Sequence, residues 1–194
     1  MLLIYGLGNN DPKYLHTKHN AGRIAMEKWA NLENLEFQKK DKYAWSKGLL
    51  GNESAYFVYS LGYMNESGQA LQSFLKYFKL EFRESDNLVI LQDDSDQLSG
   101  KQKFVNAGGS AGHHGINDIY RNMQNWNLTL EQIRRIKIGI RPEGNKGRSE
   151  HFVLQPLGSD DLSRFEQIGA KCYDLKASFT DRNWPKIQQE LNSL

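Results

Sequence analysis

What most restricts this chain is the alternation of its apolar patterns: short, nearly continuous runs take turns, from one end to the other, with stripes that repeat every three or four residues. Residues 2–5 are an apolar run halted by Gly6, the pattern of a buried strand feeding a loop at the carboxyl edge of a sheet. Ala21, Ile24, Ala25, Trp29 and Leu32 then recur at helical spacing, which predicts a helix beginning near Asn20 with His19 at its start. Residues 43–50 and 55–61 read as two strands joined around Gly51-Asn52. Ala70, Leu71, Phe74, Leu75 and Phe78 predict a second helix capped by Ser67, and residues 88–91 predict another buried strand. Glycines 108, 109, 112 and 115 punctuate a loop ahead of a shorter helix marked by Ile116, Ile119, Tyr120 and Met123. Ile136, Ile138 and Ile140 alternate with Lys137 and Gly139, as in a strand with one covered face. Two terminal helices follow, marked by Leu162, Phe165, Ile168, Cys172 and Leu175 and by Trp184, Ile187 and Leu191. The expected architecture is α/β: a single domain over residues 1–194, its mixed, mostly parallel twisted sheet covered by helices on both faces.

A chain of 194 residues can bury one sufficient core without metal or disulfide staples. With 39% apolar and 25% charged residues, and no apolar run near the ~20 residues of a membrane span, the composition is that of a water-soluble globule. The opening five residues lack a basic region and stop at Gly6, short of the ~7–15 apolar residues of an export signal. A lone cysteine, Cys172, agrees with a reducing compartment, so the cytoplasm is the expected location and no membrane partner is expected. The net charge of +2 says little about nucleic acid, but its distribution is uneven. Residues 134–148 hold Arg134, Arg135, Lys137, Arg141, Lys146 and Arg148 against the single anion Glu143, a stretch that reads either as a phosphate grip or as a solvated face.

Three predicted strand ends are followed by polar clusters: Gly8-Asn9 with Tyr14 and His19; Tyr63-Met64-Asn65; and residues 92–96, Gln-Asp-Asp-Ser-Asp. In an open α/β sheet, loops at the carboxyl ends of strands converge on one crevice, and His113-His114 could join them there. The chemistry that suits these side chains is water-mediated. A neutral imidazole (His19) takes a proton from water, a carboxylate (Asp93) holds the imidazole in one tautomer, and amides (Asn9, Asn65) position a scissile ester. Each residue also has an ordinary reading: Asn9 as a turn former, Asp93 as a turn cap, Asn65 as a helix starter, and Tyr63, Met64 and the histidines as packing or surface groups.

Other motifs point elsewhere. Gly6-Leu7-Gly8 after a strand suggests a dinucleotide fingerprint, but position 11 is Asp and the helix does not start at once. Residues 108–112, Gly-Gly-Ser-Ala-Gly, match a nucleophile elbow, with His151 and Asp118 as the available partners of Ser110, but residues 103–106 make a poor buried strand before it. Asp93, Asp94 and Asp96 with His113 and His114 could hold a divalent metal, although no paired ligand spacing supports that reading.

Taken together the clusters resemble the bacterial peptidyl-tRNA hydrolase family. The matching segments are L-I-Y-G-L-G-N (3–9), K-Y-L-H-T-K-H-N-A-G (13–22), Y-M-N-E-S-G-Q-A (63–70), D-D-S-D (93–96), G-S-A-G-H-H-G-I-N-D-I (109–119) and I-K-I-G-I-R-P (136–142). The resemblance implies an enzyme that cleaves the ester between a peptide and the 3′ ribose of tRNA, recycling tRNA from peptidyl-tRNA that has dropped off the ribosome. It implies no cofactor and peptidyl-tRNA as the partner; a monomer without a metal is the accompanying expectation. It implies His19 as the catalytic base and Asp93 as its supporting carboxylate. It also implies Asn9, Tyr14, Tyr63, Met64, Asn65, His113 and His114 as the substrate-binding set.

The chain departs from the family pattern at several points. Asn10-Asp11-Pro12 stand where the family continues Pro-Gly, Ser60-Leu61-Gly62 where it carries Pro and Thr, Val105 where a basic residue is usual, and His114 where it has Asn. Retained hydrolysis is expected, with His114→Asn neutral or activating when the rate is measured; a large loss in that variant means the imidazole has acquired an essential role. The competing expectation is a diverged relative that binds RNA or a protein partner without turnover.

Overall fold

Alternating burial in the first strand sets the layers of the fold. Leu2 and Ile4 enter one hydrophobic cluster, Leu3 and Tyr5 another on the opposite face, so β1 (Leu2–Gly6) is covered on both sides. The computed structural model describes residues 1–106, 108–145, 147–148 and 152–193. In chain order the remaining elements are α1 (Ala21–Leu32), β2 (Gln38–Lys40), β3 (Tyr43–Leu50), β4 (Glu53–Ser60), α2 (Ser67–Phe78), β5 (Asn87–Leu98), β6 (Gln102–Asn106), α3 (His114–Asn122), β7 (Ile133–Arg141), α4 (Ser159–Asp174), α5 (Lys176–Thr180) and α6 (Trp184–Asn192).

The strands form one seven-stranded mixed sheet of order β2-β3-β4-β1-β5-β7-β6. Its centre, β4-β1-β5-β7, is parallel, and β2, β3 and β6 are antiparallel to their neighbours. Helices α1, α4, α5 and α6 cover the face of Leu2 and Ile4, and α2 and α3 the face of Leu3 and Tyr5. The expected α/β architecture is therefore the observed one.

Local differences from the sequence reading have physical causes. The strand expected over residues 88–91 runs on to Leu98, because Asp93, Asp94 and Ser95, read as a loop, lie beside β7, which supplies ladder partners as far as Asp94 and again at Leu98. Apolar patterning misses a strand whose end carries polar side chains. Residues 102–106 are a strand after all; as an edge strand β6 needs only one covered face, and Phe104 fills it. Asn192 completes that edge: its Oδ1 accepts from Phe104 N at 2.6 Å and its Nδ2 donates to Phe104 O at 3.2 Å, closing a ladder position otherwise open to another chain. Ser67 is not the cap of α2 but its first residue, and its hydroxyl donates to Met64 O at 2.6 Å. The short polar β2 and the one-turn α5 lacked any period that could be read in advance. The β3–β4 hairpin turns where expected, with Gly51 at φ 59°.

One close approach positions the site. A Cβ on Gly22 would lie 2.1 Å from Leu91 O, so a glycine there lets the first turn of α1 rest directly on the backbone of β5. That contact brings the residues just before α1 beside those just after Leu91.

Candidate active site

The loop between β1 and α1 is organised by a residue that sequence reasoning did not single out. Asn20 is 2% exposed; its Oδ1 accepts from Asn9 N at 2.7 Å, and its Nδ2 donates to Tyr14 O at 2.7 Å and to Leu15 O at 3.0 Å. One buried amide thus closes the loop on itself. Its only signal in the sequence was its place directly before the helical stripe. The backbone N–H of His19 donates to Val153 O at 2.9 Å, so the loop before α4 fixes the His19 main chain from the other side.

His19 Nδ1 lies 2.8 Å from Asp93 Oδ1, and His113 Nε2 lies 2.9 Å from the same oxygen. His113 is the N-cap of α3, and its Nδ1 accepts from Gly115 N at 3.1 Å. With that nitrogen accepting, Nε2 must carry the proton given to Asp93. Two imidazoles therefore donate to one carboxylate oxygen, and His19, bonded through Nδ1, keeps Nε2 as its basic nitrogen. Burial works against charge at both members of the main pair, yet the pairing wins. For Asp93 burial pushes the carboxyl up, and the neighbouring His19 and His113 more than reverse this, holding it well below the usual carboxylate range. For His19 burial pulls the imidazole down, and the charge and hydrogen bond of Asp93 outweigh it, leaving the pKa above its ordinary value.

These groups open onto a cleft of 430 Å³ lined by His19, Gln92, Asp93, His113, His114 and Lys137 among others. His114 is the exposed first residue of α3. Asn9 is 6% exposed, and its Oδ1 accepts from Met64 N at 2.7 Å, which ties the first polar cluster to the second and leaves the Nδ2 of Asn9 without an acceptor among the described residues. Met64 is buried beside Gly115, and Asn65 is exposed on the same single 3-10 turn, Met64–Glu66. Tyr63, 48% exposed, donates from its hydroxyl to Asp11 Oδ2 at 3.0 Å, a contact that spans the two loops. Tyr14 is half-buried on that loop, its carbonyl taken by Asn20 and by Thr17 Oγ1 at 2.8 Å.

The other readings do not assemble. Asp118 accepts from Gly68 N at 2.7 Å and Gln69 N at 3.2 Å, bracing α2 against α3 rather than serving Ser110; His151 lies outside the described residues. His19, Asp93 and His113 present ligand atoms within 4.8 Å of one another, but Asp94 is turned to Lys137 at 2.7 Å and Asp96 toward Arg141 at 3.8 Å. His113 could offer Nε2 to a cation only by shifting its proton onto the nitrogen that faces the Gly115 N–H. The basic stretch is likewise divided. Arg134 stacks on Trp184, Arg135 is buried with its guanidinium 3.2 Å from Gly109 O, and Arg141 donates to Ser95 O at 2.8 Å. Lys146 lies outside the described residues. Strand alternation sends Arg134 to the face opposite Arg135, Lys137 and Arg141, and the separate partners of Arg135 and Arg141 leave Lys137 as the described cation of that stretch lining the cleft.

Comparison with known proteins gives one answer. The family model described as peptidyl-tRNA hydrolase matches residues 3–194. The chain is 31% identical over 178 residues to the peptidyl-tRNA hydrolase of Colwellia psychrerythraea, covering 89% of this chain and 88% of the relative. It is 37% identical over 162 residues to that of Lactobacillus acidophilus, covering 82% of each. The crystal structure of peptidyl-tRNA hydrolase from Acinetobacter baumannii superposes with a TM-score of 0.82 at 25% identity, over 99% of this chain and 94% of that one. With the family model matched over nearly its whole length, the chain belongs to the peptidyl-tRNA hydrolase family.

Proposed function

We propose that this chain carries out its family's reaction, hydrolysis of the ester between peptide and tRNA 3′ ribose, by general-base catalysis with His19. The observation that carries this reading is the 2.8 Å bond from His19 Nδ1 to Asp93, which sets the imidazole in the tautomer whose Nε2 can take a proton from water. The resulting hydroxide adds to the ester carbonyl, and the imidazolium, held beside the Asp93 carboxylate, returns the proton to the departing ribose oxygen. On this reading the Nδ2 of Asn9 holds the carbonyl oxygen, its Oδ1 being taken by the Met64 N–H. A positioned base contributes about 10²–10⁴-fold and an oxyanion donor about 10²–10³-fold, enough for an already activated ester without a covalent intermediate.

On this reading the tRNA backbone lies along the face bearing Lys137 and its register partner Lys103, which is exposed on β6. Contacts to phosphate there give affinity without sequence preference, as an enzyme handling every tRNA requires. This reading keeps the expectation of a monomer working in the cytoplasm, where peptidyl-tRNA is made. No described helix is long and apolar enough to cross a membrane.

The test is single-turnover hydrolysis of N-acetyl-aminoacyl-tRNA by the purified protein, by His19→Ala, and by the wild type with a chelator. Chelator-resistant cleavage that collapses in the variant is the expected result. Tight tRNA binding by a wild type that does not cleave would replace this reading with that of a non-catalytic relative.

A further inference from the structure

We propose that Gln92 reads the base of the substrate's 3′-terminal adenosine, accepting from the adenine N6 amino group through Oε1 and donating to N7 through Nε2. The inference rests on the reaction proposed above and adds a residue that determines what the cleft accepts.

Gln92 directly precedes Asp93 on β5, is 2% exposed and lines the catalytic cleft. Its Nε2 makes one long hydrogen bond, 3.3 Å, to the backbone oxygen of Asp93, and its Oε1 has no partner among the described residues. Asp93 O can only accept, so the amide nitrogen has to face it and the oxygen is the atom left over. A buried acceptor without a donor works against stability, and among the described residues with such an unpaired buried side-chain atom Gln92 is the one that lines the cleft of His19 and Asp93. Turning this amide toward the cleft gives up only the long bond and gains a partner for the oxygen.

Position selects the partner. Alternation along β5 sends Gln92 to the side of the sheet opposite Asp93. There it is in register with Lys137, which is in turn in register with Lys103. A substrate whose ester lies at His19 and whose phosphates are drawn to these lysines must lay its last nucleoside across Gln92. A carboxamide pairs with N6 and N7 of adenine through one acceptor and one donor, the two groups Gln92 has to offer. Every tRNA ends in adenosine, so reading this base costs no generality.

The experiment compares N-acetyl-aminoacyl-tRNA ending in adenosine with the same tRNA ending in purine riboside, which lacks the N6 amino group, using wild type and Gln92→Leu. The wild type is expected to lose about fivefold to tenfold in kcat/KM on the purine end, the worth of one hydrogen bond. Gln92→Leu is expected to show that loss already on adenosine and no further discrimination, with a melting temperature equal to or above wild type because an unpaired buried oxygen is gone. Discrimination that persists in Gln92→Leu, or a wild type indifferent to the amino group, overturns the proposal. So does an equal loss on both ends with a lowered melting temperature, which makes Gln92 a packing residue. A wild type that fails to cleave even the adenosine-ended substrate overturns the reaction itself, and this inference with it.

Discussion

His19 and Asp93, 74 residues apart in the chain, are joined by a 2.8 Å hydrogen bond from imidazole Nδ1 to carboxylate Oδ1. The bond forms because α1 sits on the backbone of β5 at Gly22, and because β5 runs past Leu91 without turning away. It sets the tautomer of His19 and raises its affinity for a proton.

The pH dependence of hydrolysis follows from that bond. Because the pKa of His19 lies above its ordinary ~6.5, kcat/KM is expected to rise with pH through a midpoint above that value. Asp93→Asn removes the opposing charge and leaves the burial, so the midpoint is expected to fall below ~6.5 and the rate to drop about 10²–10⁴-fold. The linked stability has a definite sign. The raised His19 contributes fully below ~6.5, and that contribution is lost as pH climbs through the folded value; the lowered Asp93 contributes above ~3.9 and its share is lost as pH falls. A rate profile with no limb above ~6.5 would count against His19 as the base.

His113 shares the carboxylate oxygen with His19, so removing it affects more than binding. His113→Ala takes one donor from a buried charge and is expected to lower stability by about 1.5–3 kcal/mol, read by urea denaturation. It is also expected to move the His19 limb upward, since Asp93 then serves one imidazole instead of two. A raised KM with an unmoved limb would make His113 a substrate contact and nothing else.

Gly22→Ala adds one methyl group where Leu91 O leaves no room. The expected destabilisation is about 1–3 kcal/mol, the range for overpacking, and α1 must shift to relieve it. Because the shift pulls His19 from Asp93, kcat at saturating substrate is expected to fall well beyond the change in folded fraction. An active variant of unchanged kcat would show that the base does not depend on this helix contact.

The division of the basic stretch can be read from salt dependence. Lys137→Gln is expected to weaken tRNA binding and to reduce the slope of log K against log salt by about 0.7–0.9, the loss of one phosphate contact. Arg134→Gln is expected to leave the slope unchanged and to cost stability, because its guanidinium lies 4.8 Å from the Trp184 ring centroid. Equal slope changes in the two variants would mean that both faces meet RNA.

The sequence by itself determined the elements and the chemistry available. Runs and stripes of apolar residues are one-dimensional consequences of strands and helices, so β1, α1, α2, β7 and α4 were legible, and so were His19 and Asp93 through their segments. What only the tertiary structure decided is which polar groups share an atom. That Asp93 sits within a strand, that His113 turns its ring to it, that Asn20 closes the loop at Asn9, and that Gln92 keeps an oxygen unpaired all depend on contacts between distant segments. Hydrogen bonds are settled by tenths of an ångström and by strand register, and a register shift of one residue would exchange Gln92 with Asp93 across the sheet.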